Sequence, residues 1–237
     1  MSFLLAIEGG DGAGKATAAA ETARLLNAEG RGATVLSFPR YPDTAGGWAL
    51  GEHLAGRLPR PVGPRAAAVL YALDRLESRD TLLAAMAAHE VVVLDRYIAS
   101  NLAYQGAQAG ADADALMRWT WALETESFAL PPPDLQIYLA TPVEVARGLI
   151  AQKRRRSYTD AAFDHYEADA ALQARVRDAY AALAASGWAG RWATVETVRE
   201  GSMRAVEEIA EEIVGLLPSP ARGRGTAAKR QGEGRAK

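Results

Sequence analysis

The sequence predicts an α/β fold: a five-stranded parallel sheet covered on both faces by helices, three layers in all. Three observations carry this. Five short apolar runs alternate with longer helical patterns along the 237 residues, as expected for strands buried on both faces and joined by crossover helices. The first run leads directly into a glycine-rich turn, a lysine and an alanine-rich helical stretch. The other residues able to do chemistry also follow the ends of apolar runs, where ligands bind in parallel sheets.

The first strand, 3–8, opens into Gly9, Gly10, Asp11, Gly12, Ala13, Gly14 and Lys15. The spacing fits G-x-x-x-x-G-K, a phosphate-binding loop. Glycines let the backbone wrap a polyphosphate with its N–H groups inward, while the following helix N-terminus and Lys15 supply positive charge. An ordinary Gly-rich turn is the bland alternative; the strand before and the helix after (15–28) argue against it. Ala16 stands where a metal-binding Ser or Thr is usual, with Thr17 one place later. Residues 9–17 are therefore the expected ATP-binding segment, lacking one usual magnesium ligand.

The second strand, 33–38, ends in Phe38, Pro39, Arg40, Tyr41, Pro42 and Asp43, a turn of aromatic and charged groups. A helix over 64–88 follows. Within it Tyr71 and Arg75 are four apart and share a face, either as a ligand surface or as a core tyrosine beside a surface arginine. The third strand, 91–95, closes on Asp95, then Arg96 and Tyr97, with Ser100, Asn101, Tyr104 and Gln105 beyond. An acid at that place orients magnesium in phosphate-loop enzymes, or else caps a helix or forms a structural ion pair. Arg96 beside it is suited to hold a phosphate bidentately.

A helix over 113–128 and a fourth strand over 135–139 come next. A helix over 143–152 then ends in Lys153, Arg154, Arg155 and Arg156. Four successive cations are a solvated face, a nucleic-acid contact, or a mobile lid bringing guanidinium groups over a transferring phosphoryl. After a turn-like stretch containing Asp164, His165, Tyr166 and Glu167, a helix over 166–185, a strand over 191–195 and a helix over 202–217 complete the body.

Composition bounds the rest. Apolar residues make up 49% and charged residues 24%, an ordinary globular balance for one domain with a modest appendage. Zero cysteines exclude disulfides, thiolate metal sites and cysteine nucleophiles. His53, His89 and His165 are too scattered for a metal site, and no Ser/His/Asp grouping suggests hydrolysis. No run approaches the roughly 18 apolar residues that span a bilayer, and the N-terminus lacks a signal peptide's basic leader. A cytoplasmic protein without membrane partners is expected. Beyond 217, six Lys and Arg residues face one acid, Glu233. This Gly-, Pro- and Arg-rich tail is expected to be disordered. It is a solvated appendage, or a weak nucleic-acid contact that truncation would expose.

Together these stretches resemble the thymidylate kinase family, closest to its actinobacterial form. They are IEGGDGAGK (7–15), FPRY (38–41), YALDR (71–75), VVVLDRYIASNLAYQ (91–105), FDHYEADAALQ (163–173) and YAALAASGWAGRW (180–192). The resemblance spans about residues 3–195 and implies a phosphate-loop kinase fold, with a kinase domain over 1–217 and a short mobile lid at about 153–163. It implies ATP-dependent phosphorylation of dTMP to dTDP with Mg²⁺ and a homodimer formed through helices, for which a face containing Leu116, Trp119 and Leu123 is suitable. A kinase for another pyrimidine monophosphate and a nucleotide-binding regulatory protein are the alternatives, the latter favoured only by Ala16.

The resemblance also implies residue roles. Tyr71 would stack on thymine, with Arg75 and Asn101 bonding the base and Phe38 packing beside the nucleotide. Tyr104 would lie against the deoxyribose, disfavouring a 2′-hydroxyl. Arg96, Tyr41 and Asp11 would surround the acceptor phosphate, with Arg40 in the same turn. Tyr166 and Glu167 would approach the sugar and its 3′-hydroxyl, with Asp164 in the same stretch. Asp11, Asp95 and Glu167 would serve the metal. With no charge at Ala16, the burden on the phosphoryl group would shift to Lys15, Arg96 and the lid arginines Arg154, Arg155 and Arg156, with Arg147 as a further candidate.

Overall fold

Strand β1 (Phe3–Glu8) is buried from Leu4 onward, and its alternating side chains enter two different cores. Leu4 and Ala6 join one apolar cluster, Leu5 and Ile7 the other. The same alternation splits Val92 and Leu94 from Val91 and Val93 on β3 (Val91–Asp95). A strand that feeds two cores has no polar face, so its sequence reads as an unbroken apolar run. The computed structural model describes residues 2–156 and 169–219; most of the expected lid, the expected site residues Asp164, Tyr166 and Glu167, and the tail beyond 219 lie outside them.

All five main strands run parallel in the order β2 (Ala33–Ser37), β3, β1, β4 (Leu135–Ala140), β5 (Trp192–Glu196). The expected α/β sandwich is therefore observed, with strand ends matched within one residue. The central place of β1 brings its carboxyl end beside that of β3, with Ile7 opposite Asp95. The loops leaving these two strands are forced together.

Helix α1 (Lys15–Ala28) follows the phosphate loop as expected. Helix α2 (Ala45–Leu54) was not anticipated, because Gly46 and Gly47 disfavour a helix. Tertiary contact explains them. A Cβ on Gly46 would lie 2.4 Å from the backbone nitrogen of Asp74, and one on Gly47 2.4 Å from the carbonyl oxygen of Arg40. Thr44 caps the helix by accepting from Gly47 N at 2.8 Å.

The expected helix over 64–88 is two helices, α3 (Pro64–Glu77) and α4 (Arg79–Ala88). They are divided at Ser78, whose ψ of −2° departs from the helical value. Helix α5 (Ile98–Ala109) was also missed. Residues 98–106 are all buried, so no polar stripe marks its period.

Helix α6 (Ala113–Ala122) ends in a π-helical turn, Leu123–Ser127, where a continuous helix to 128 was expected. Helix α7 (Val143–Arg156) continues past 152, so Lys153 to Arg156 form its last turn rather than opening a loop. Helix α8 (Ala170–Ser186) is capped by Asp169. The expected helix from 202 starts only at Val206, as α9 (Val206–Leu216). Before it, Val198–Arg199 (β6) and Ser202–Met203 (β7) pair antiparallel across Glu200 and Gly201, both with positive φ. That backbone is a two-residue hairpin signal. No helix among the described residues is long and apolar enough to cross a membrane.

Candidate active site

Two loops at the carboxyl ends of β1 and β3 build the centre of the site. In the first, Gly9 has φ +151°, and a Cβ there would meet the Leu139 carbonyl oxygen at 3.1 Å. Lys15 is buried inside the loop and donates to the Gly10 carbonyl at 2.7 Å. Burial, and then the charge of Arg96, lower its pKa to about 8 although Asp11, Asp95 and Glu8 pull upward. Ala16 and Thr17 are exposed at the start of α1.

In the second loop, Arg96 adopts a left-handed backbone, φ +66°, while its N–H bonds the Ile7 carbonyl at 3.1 Å. Such a conformation costs a non-glycine residue about 1–3 kcal/mol and persists only where neighbours over-determine it. They do so here. Tyr97 N donates to Glu8 Oε1 at 2.8 Å, and Glu8 Oε2 accepts from Ser100 Oγ at 2.7 Å and Tyr180 Oη at 3.0 Å. Burial raises the Glu8 pKa against these bonds. None of this support was foreseen, since it joins β1, α5 and α8 across 172 residues.

The Arg96 guanidinium thus projects to the phosphate loop. It pairs with Asp11 Oδ1, approaches Gly9 O at 3.5 Å, Ser100 Oγ at 3.4 Å and Tyr104 Oη at 3.5 Å, and lies 5.2 Å from the Tyr104 ring centroid. Gln173 Nε2 donates to Asp11 Oδ2 at 2.8 Å. Burial would raise the Asp11 pKa, but Arg96 and Lys15 outweigh it and hold the carboxyl below its ordinary value. Burial would lower that of Arg96, but Tyr104 and Asp11 outweigh it and keep the guanidinium charged.

A cavity beside this pair is lined by Asp11, Pro39, Tyr41, Tyr71, Arg96 and Tyr104, among others. The structure therefore brings five of the expected nucleotide-site residues to one concavity. Phe38 is buried against Tyr97, 5.8 Å between ring centroids. Arg40 is elsewhere: its guanidinium pairs with Asp43 at 3.0 Å and faces Thr81 at 3.3 Å.

Arg75 and Asn101 form a second, deeper group. Arg75 is 2% exposed and bonds Glu124, 0% exposed, through Nε at 2.5 Å and Nη2 at 2.7 Å. Asn101 Nδ2 donates to Glu124 Oε1 at 2.9 Å and Ala68 O at 3.0 Å. The reading of Arg75 as a surface arginine is thus excluded. Glu124 was missed altogether; it sits in the π-helical turn, and no motif marks it.

Asp95 ends β3 and acts on Lys15 through its charge. Among the described residues no three acidic or histidine side chains converge as a metal cage. Side chains of 150–168, including Arg154, Arg155, Arg156, Asp164, Tyr166 and Glu167, lie outside the description. A second cavity beside the loop is lined by Gly10, Tyr138, Thr141, Arg147, Gln173 and Arg177, among others, between α7 and α8.

Comparison with known proteins identifies a family. The family model described as thymidylate kinase matches residues 7–209. The thymidylate kinase of Mycobacterium tuberculosis (strain H37Rv) is 41% identical over 199 residues, covering 81% of this chain and 91% of that protein. That of Leifsonia xyli is 37% identical over 217 residues, covering 89% and 92%. A solved structure of thymidylate kinase from Candida albicans shares the fold, with TM-score 0.65, 22% identity and coverage of 91% and 90%.

Proposed function

Because the chain belongs to the thymidylate kinase family, its activity is the ATP-dependent phosphorylation of dTMP to dTDP, and we propose that Lys15, Arg96 and Asp11 are its catalytic centre. The observation that carries this is the single cavity where Asp11 and Arg96 meet Tyr71, Tyr41 and Tyr104 beside the phosphate loop. Nothing in the structure or the comparisons favours another acceptor or a regulatory protein.

The acceptor phosphate of dTMP is already an anion, so transfer needs alignment and charge neutralisation more than a strong base. Arg96 holds that phosphate with its fork, steadied by Asp11 and the Tyr104 ring. Lys15 and the loop N–H groups receive the donor phosphates. Tyr71 offers a flat face to the pyrimidine, and Arg75 and Asn101 read its edge. Tyr104 restricts the 2′ position. Arg154, Arg155, Arg156, Tyr166, Glu167 and Asp164 complete the site from the lid side in this reading.

Magnesium fits the donors present. Mg²⁺ is held by one or two carboxylates with substrate phosphates and water, and Asp11 and Asp95 both act on Lys15 within the same site. These two carboxylates would hold the ion, with Glu167 as a further expected ligand. Bound there, it would neutralise charge on the transferred phosphate. Family membership likewise supports a cytoplasmic homodimer, with a kinase domain over 1–217.

The test is ADP formation with ATP, magnesium and each nucleoside monophosphate in turn, against a blank without acceptor. Turnover strongly favouring dTMP is expected. Equal turnover with dCMP, or none above the blank, would overturn the reading.

A further inference from the structure

The buried Arg75–Glu124–Asn101 group contains one atom that its surroundings do not satisfy. Asn101 Oδ1 is buried and has no hydrogen-bond partner, whereas its amide nitrogen has two. The orientation of that amide is dictated by chemistry. Ala68 O can only accept, and Glu124, gripped by the Arg75 fork, can only accept as well. Both therefore require the NH₂ side of Asn101, and the oxygen must face the other way. Glu124 also takes the Nε–H and one Nη2–H of Arg75, leaving the Nη1 edge of the guanidinium, with the second Nη2–H, to donate elsewhere.

We propose that Glu124 is a specificity-determining positioning residue: by fixing the Asn101 amide and the Arg75 fork together, it presents one acceptor and one donor to the pyrimidine edge. The inference rests on the reading that Arg75 and Asn101 face the base. Thymine carries a hydrogen on N3 and an oxygen on C4, so it answers both groups. Cytosine has a lone pair on N3 and an amino group on C4, so an acceptor meets an acceptor and a donor meets a donor. A buried polar group left unpaired is what makes such rejection steep. Were Asn101 free to rotate, it could offer its NH₂ to the cytosine N3 and the discrimination would weaken.

The experiment compares kcat/KM for dTMP and dCMP at saturating ATP in the wild-type enzyme, Glu124→Gln, Asn101→Ala and Arg75→Ala. Glutamine keeps the volume but removes the charge and turns an NH₂ group toward Arg75 or Asn101. We expect the dTMP-to-dCMP ratio to fall at least about tenfold in Glu124→Gln, with KM for ATP unchanged. The ratio does not depend on how much of the preparation is folded, so a merely structural role would lower both rates and leave it alone. If Glu124→Gln does not accumulate as folded protein, Glu124→Asp carries the same test by withdrawing the carboxylate one methylene. A ratio within about twofold of wild type, while Asn101→Ala lowers it, overturns the positioning role. A ratio unmoved by Asn101→Ala and Arg75→Ala as well overturns the base-reading assignment, and this inference with it.

Discussion

At the scale of the residue, Arg96 shows how the site is assembled against local preference. Its left-handed backbone is held by Ile7 O on one side and, through Tyr97 N, by Glu8 on the other. Its fork spans Asp11, Ser100 and Tyr104, which a lysine ammonium could not reproduce. Arg96→Lys is therefore expected to lower kcat/KM for dTMP on the order of 10²-fold, as for loss of one preorganised donor. Steady-state kinetics against dTMP checks this, with KM for ATP nearly unchanged. Lys15→Ala should lower turnover by about 10²–10³-fold; near-normal turnover would remove Lys15 from the mechanism. The lysine also sets a pH dependence. With its pKa lowered to about 8 by burial and by Arg96, it is charged below that pH and loses its proton above it. A bound triphosphate favours the charged form, so ATP binding takes up a proton at alkaline pH. KM for ATP should stay flat up to about 8 and rise beyond it, approaching tenfold per pH unit. A flat profile to pH 9.5 would contradict the environment assigned to Lys15.

At the scale of the element, the α2–α3 corner is a close contact near the cleft. Asp74 is buried and accepts from Arg40 N at 3.1 Å and Thr44 Oγ1 at 2.5 Å, and Gly46 lets the two helices touch there. Gly46→Ala would push a methyl into the Asp74 backbone, an overpacking that costs about 1–3 kcal/mol. A melting temperature lower by several degrees is expected; an unchanged one would mean that the corner yields freely. The same corner shows what sequence reasoning can and cannot see. Strands and α1 were legible because continuous apolar runs and the loop spacing are local signals. Helix α2 was not, since Gly46 answers a neighbour 28 residues away in sequence. Helix α5 was hidden by its burial on all sides. In the site, the positions of Lys15, Asp95 and Arg96 follow from strand ends, while Glu124 meets Arg75 across 49 residues and belongs to no motif. Arg40 was grouped with the phosphate residues by adjacency, but its turn sends the side chain toward α4.

At the scale of the molecule, among the described residues the two apolar clusters on either face of the sheet run as far as Leu217. Deleting residues 218–237 is expected to leave kcat and the melting temperature unchanged; a loss of either would give the basic tail a part in the kinase. Parallel order also has a consequence for coupling. Because β1 lies between β3 and β4, the Gly9–Lys15 loop and Arg96 are neighbours by construction. With the roles proposed for them, the strand order would set the two substrates' anionic ends side by side without long loops.

The buried group around Glu124 bears on how such an enzyme can change. Removing one member of a buried ion pair costs about 3–5 kcal/mol, a large share of the roughly 5–15 kcal/mol that keeps a domain folded. Arg75, Glu124 and Asn101 lie on three different elements, so no single codon change retunes them together. A lineage drifting toward another base would have to cross a poorly folding intermediate. If this group reads the base as proposed, the pocket's preference is guarded by the stability of the fold as much as by selection on the reaction.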